Sequence, residues 1–96
     1  MDYRKEFKRV LLSRAHCNLG KRGITANFID NVNRLLKQYK IIKIKVLKSI
    51  AKRSDINSIA KEVSNKTNSY ILDIRGKQII FSKQLIKKKK DNVLVN

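Results

Sequence analysis

The chain has 96 residues, 42% of them hydrophobic, with 24 Lys and Arg against 7 Asp and Glu and a formal net charge of +17. That length suits one domain with one modest core, and the hydrophobic share is enough to fold it rather than leave it disordered. Self-repulsion on this scale weakens a compact state unless a polyanion neutralises it, so nucleic acid, an anionic membrane surface or another acidic partner is expected, while a single cysteine, Cys17, excludes an internal disulfide framework and a multi-cysteine zinc site.

Residues 3 to about 14 place Tyr3, Phe7, Val10 and Leu11 at helical spacing, with Arg4, Lys5, Lys8 and Arg9 between them, which predicts an amphipathic basic helix. A short extended piece, His16-Cys17-Asn18-Leu19, leads into Gly20-Lys21-Arg22-Gly23-Ile24-Thr25, a basic turn between two glycines. Glycine carries no Cβ and tolerates positive φ, so such a turn lets the main chain approach a ligand closely. The turn runs into a helix predicted from about Thr25 to Tyr39, whose unpaired N–H groups and positive dipole end favour a phosphate at the same place. The alternative reading is a tight surface turn that happens to carry Lys21 and Arg22. Phe28, Ile29, Val32, Leu35, Leu36 and Tyr39 give that helix a core-facing stripe, and Thr25 can cap it, although Phe28 stands where a full capping box needs Glu or Gln.

Ile41 to Leu47 switches to period two and is rich in β-branched residues, which predicts a central or near-central strand. Ile42, Ile44 and Val46 share its core face; Lys43 and Lys45 point the other way, toward a face read as basic and open. Ser54 or Asp55 can cap a third helix with Ile56, Ile59, Ala60 and Val63 as its stripe, ending at Asn65-Lys66-Thr67-Asn68. A hairpin follows, Tyr70 to Ile74 and Ile79 to Phe81, turning through Arg75-Gly76-Lys77-Gln78. With no proline and only three glycines, no linker is expected before residue 84. Residues 1–83 are expected to form the domain and residues 84–96, with Lys87 to Lys90, a frayed helix end or mobile basic tail, unless Val93-Leu94-Val95 docks on the body. The order α-β-α-β-α-β-β predicts an α/β two-layer sandwich: a four-stranded mixed sheet with helices on one face and the other face available.

The sequence resembles the CRM domain, the RNA-binding module of free-standing YhbY-like proteins and of plant organelle splicing factors, over roughly residues 5 to 83. Gly20 to Thr25 is similar to that family's Gly-x-x-Gly-Leu-Thr loop, with Ile24 for leucine; Ile42 to Val46 is similar to its Ile-Lys-Val-Lys-Val strand; and Val63 to Lys83, including Arg75-Gly76-Lys77, follows its last helix end and hairpin. The resemblance implies a fold like the C-terminal domain of translation initiation factor three, with the glycine loop joining the first strand to the second helix and contacting RNA. It also implies association with ribosomal precursor particles, chiefly of the large subunit. The stretch before the loop is shorter than is usual in the family, which implies a first strand that is shortened or begins inside the first predicted helix. Ser82 stands where the family commonly has tyrosine.

The candidate contacts are therefore Gly20, Lys21, Arg22, Gly23 and Thr25 of the loop. A second group is Arg4, Lys5, Lys8 and Arg9 on the first helix, where a solvated charged face is the equal alternative. Lys43 and Lys45 join them if the outer sheet face is open, and Arg75 and Lys77 if the hairpin turn is aimed at the ligand. Phe7, Phe28, Tyr39, Tyr70 and Phe81 read as structural, so recognition is expected to lean on RNA shape and backbone. No catalysis, cofactor, metal or small-molecule substrate is expected, because His16 and Cys17 alternate in an extended segment and no Walker loop or acidic cluster is present. No apolar run approaches the length of a bilayer span and no signal-peptide core opens the chain. The expectation is a cytoplasmic, monomeric RNA-binding protein acting on ribosomal RNA of a pre-ribosomal particle. The competing reading is an Alba-like chromatin protein that coats duplex DNA as a dimer.

Overall fold

The computed structural model describes residues 3–48, 50 and 55–83. Its elements are α1 (Tyr3–Leu12), β1 (Cys17–Leu19), α2 (Ala26–Tyr39), β2 (Ile41–Val46), α3 (Ile56–Thr67), β3 (Tyr70–Arg75) and β4 (Gln78–Ser82). The sheet order is β1-β2-β4-β3, with β1 parallel to β2 and the other pairs antiparallel. The α/β class, the mixed four-stranded sheet and the element order are those the sequence predicts. The proposed tail, residues 84–96, and Ser54 lie outside the described residues.

Strand alternation builds two cores, one on each side of the sheet. On one side Ile42, Ile44 and Val46 of β2 and Ile79 and Phe81 of β4 meet Val32 and Leu36 of α2 and Ile59, Ala60 and Val63 of α3. Each large side chain taken wholly out of water here contributes about 1.5–3 kcal/mol of transfer free energy, which is why this face dictates the register. Thr25 caps α2 by accepting from the Phe28 amide at 3.1 Å, and Asp55, rather than Ser54, caps α3 by accepting from the Asn57 amide. Asn68, in the left-handed region, ends α3, and its last carbonyls are met by the Lys83 ammonium, which donates to the Thr67 oxygen at 2.9 Å.

The other side of the sheet is where the structure departs from the sequence reading. Of α1, α2 and α3, the last two share a face; α1 packs on the opposite one, its Val10, with Phe7 and Leu11, against Ile41, Ile80 and Leu72. Alternation turns Ile41 and Ile80 to that face, and a β-bulge adds a third residue. Asp73 and Ile71 face consecutive residues of β4, Ile80 and Phe81, so Leu72 is the extra residue and turns to the outer face beside Ile80. Ile41, Ile80 and Leu72 thus make an apolar patch that an amphipathic helix must cover. Tyr70, read as structural, is 46% exposed, whereas Phe81 is fully buried.

Candidate nucleic-acid interface

The loop between β1 and α2 is held by its own backbone. The Gly23 amide donates to the Gly20 oxygen at 2.9 Å and the Thr25 amide to the Gly23 oxygen at 3.1 Å, with Gly23 at φ 75°. A side chain at Gly23 is strained by that angle. At Gly20 φ is not positive, and an added Cβ would stand 3.7 Å from Leu47 Cδ1, an ordinary contact, so the fold itself does not demand glycine there. Ile24 anchors the far side of the loop on the main core, leaving Lys21 and Arg22 exposed at the tip.

Beside the tip is a shallow depression bounded by Gly20 to Gly23, Thr25, Asn27, Phe28 and Asn31, where the first turns of α2 meet the loop. The first turn of α2 carries no acidic residue, so its dipole end is electropositive without local compensation. Asn27 and Asn31 were not predicted as site residues. Their spacing of four along α2, starting two residues after the cap, is the signal in the sequence that places both on the rim.

The sheet register brings the hairpin to this same end. Leu19 pairs with Val46, whose amide donates to the Lys77 oxygen at 2.8 Å, and the Leu47 amide donates to the Leu19 oxygen at 3.0 Å. Gly76 at φ 58° supplies the positive φ of a two-residue turn. Lys21, Arg22, Lys45, Arg75 and Lys77, all exposed, are therefore carried by one end of the sheet. Arg75 is held by Asp73, its Nε donating at 2.7 Å to the carboxylate.

Lys43 does not belong to this surface. It is 4% exposed, and its Nζ donates to the Leu11 oxygen at 2.8 Å and the Ser13 oxygen at 2.7 Å, closing the C-terminal end of α1. An ammonium there satisfies carbonyls that have no intrahelical partner and meets the negative end of the dipole. The open basic face expected for both strand lysines is thus a property of Lys45 alone. On α1, Arg4, Lys5 and Lys8 lie on the exposed side, while Arg9 forks onto Glu6, with its Nε 3.1 Å from the carboxylate. That pair holds the Glu6 carboxyl below its usual range.

His16 and Cys17 do not pair as base and nucleophile. His16 Nδ1 accepts from the Lys43 amide at 3.0 Å, its ring lies 4.9 Å from that of Tyr39, and burial lowers its pKa. Burial pushes the Cys17 thiol up to about 11, so it remains protonated at neutral pH. Among the described residues no cluster of His, Cys, Asp or Glu could hold a metal ion, and no helix is long and apolar enough to cross a membrane.

Three comparisons bear on this geometry. The family model of the CRS1 / YhbY (CRM) domain matches residues 3–83. The fold is similar to the solution structure of a candidate RNA-binding protein from Staphylococcus aureus, with a TM-score of 0.68 at 21% identity over 97% of this chain and 93% of that one. No curated protein matches the sequence.

Proposed function

Since the chain belongs to the CRS1/YhbY (CRM) domain family, an RNA-binding family rather than an enzymatic one, we propose that it grips structured RNA with the loop Gly20 to Thr25. The RNA is ribosomal, in a large-subunit precursor, and the protein acts on it in the cytoplasm as a monomeric assembly factor. The observation that carries this reading is the convergence of Lys21, Arg22, Lys45, Arg75 and Lys77 at the end of the sheet where the N-terminus of α2 also opens. Backbone donors and a helix dipole hold a phosphate there, and the surrounding cations displace its counterions. Glycine at position 20, which no internal contact requires, leaves room for the RNA backbone. Arg4, Lys5 and Lys8 extend the positive field along α1, and binding acts by holding the RNA in one fold.

The test is binding to a structured ribosomal RNA fragment and to duplex DNA of equal length across a salt series, with wild type and Lys21→Asp/Arg22→Asp. Wild type prefers the RNA at near-physiological salt, and the variant, still folded by thermal melt, loses about a hundredfold in RNA affinity together with the preference. Equal binding of RNA and DNA, with the variant like wild type, would instead describe a chromatin-type coating protein. Co-sedimentation with large-subunit precursors in a cell extract tests the ribosomal assignment separately.

A further inference from the structure

The loop end of the sheet carries a row of side chains that neither core uses. The register places Asn18 of β1 beside Lys45 of β2, Lys45 opposite Gln78 of β4, and Gln78 opposite Arg75 of β3. All four point to the outer face, because their neighbours Leu19, Ile44, Val46, Ile74 and Ile79 turn to the opposite core. On that outer face α1 covers the ranks of Ile41, Ile80 and Leu72, so the row stands beyond the helix. Asn18, Lys45 and Arg75 are exposed and Gln78 is half-buried. Asparagine is disfavoured in strands, and packing gives no reason for it in the middle of a three-residue strand.

We propose that this row is a second contact for the RNA held by the glycine loop, reading a single-stranded segment that flanks the structured part. The proposal rests on the loop reading above. Lys45 and Arg75 take phosphates. Asn18 and Gln78, one on either side of Lys45, each present an amide donor beside an acceptor, which match a base edge or a ribose 2′-hydroxyl as a lone cation does not. Strands about 4.8 Å apart make the row roughly 14 Å long, and a four-stranded sheet offers two or three nucleotides such a span. No aromatic residue lies in the row, so edges are read rather than faces stacked. Charge selects the occupant: among the described residues, the carboxylate that ion-pairs with the row is Asp73, held by Arg75, and Lys77 and the loop cations stand at the same end.

The experiment compares a ribosomal RNA hairpin with and without a single-stranded flank, and the same hairpin with a DNA flank. The proteins are wild type, Asn18→Ala/Gln78→Ala and the charge-reversed loop variant. Wild type gains affinity from the RNA flank. The amide variant, with net charge unchanged, loses about tenfold on the flanked RNA, as expected for lost edge contacts, while its affinity for the bare hairpin and its salt slope stay as in wild type. An amide variant that binds flanked RNA as wild type does overturns the row and leaves the loop intact. A loop variant with wild-type affinity for the bare hairpin overturns the loop reading, and the row with it. Should the alanines lower the melting midpoint, Asn18→Val/Gln78→Val restores strand propensity without restoring the amides and is read in the same way.

Discussion

Lys43 and Lys45 stand two residues apart on one face of one strand, yet they belong to two different regions. Where α1 lies over the sheet, the lysine is buried and bonded to the carbonyls of Leu11 and Ser13. Just beyond the helix, the lysine is exposed in a row of polar side chains. The same charge is therefore a helix cap in one place and a solvent-exposed cation in the other, and what separates them is the position at which α1 ends. Alternation assigns a residue to a face but does not say how far along the strand that face is covered.

Substitution at Lys43 tests the covered half most strongly. Lys43→Ala removes two charge-assisted hydrogen bonds and a buried aliphatic stem and is expected to cost about 3 kcal/mol of folding stability, read by chemical denaturation, with RNA affinity per folded molecule unchanged. A loss of affinity at constant stability would move Lys43 into the interface. The next effect concerns pH. Burial lowers the pKa of His16 in the folded state, with the positive charge of Arg9 acting in the same direction, so below the usual value of 6.5 the unfolded chain binds more protons there than the native one. Stability is then lost as pH falls from 6.5 toward the native pKa, and protonation at Nδ1 removes the acceptor for the Lys43 amide. Thermal melts across that window should decline in wild type and flatten in His16→Ala, which is less stable at neutral pH. A wild-type curve without slope there would sink the assignment. The smallest change is expected in the open half, where Lys45→Ala lowers the slope of log affinity against log salt by about one and leaves folding within about 0.5 kcal/mol of wild type.

Much of this was legible in the sequence. The stripe of α2, the period-two run of β2, the Thr25 cap and the hairpin around Gly76 each follow from local spacing, and local spacing decides them in the structure. The place of α1 was legible only in part: Ile41 and Ile80 turn outward by alternation, but Leu72 joins them through a bulge of one residue, which breaks the alternation from which faces are read. Lys43 and Lys83 were hidden for a related reason: each ammonium caps a helix distant in sequence, and only tertiary packing makes the two meet. Within the site, the loop cations and the hairpin turn could be named singly, but their convergence rests on the pairing of Val46 with both Leu19 and Lys77. Asn18 and Gln78 become a row only through the same register.

Between α2 and β2 the chain turns through Lys40 alone, at φ 69°, with its amide bonded to the Leu36 oxygen and its own oxygen accepting from the Lys83 amide at 3.2 Å. Such a corner has no slack. A pull on the glycine loop passes along α2 as along a lever arm and arrives at the middle of the sheet, instead of being taken up by a pliant joint. The loop is thus mounted stiffly, and an RNA docked on it as proposed would meet a grip already shaped and give up little binding free energy to shaping it.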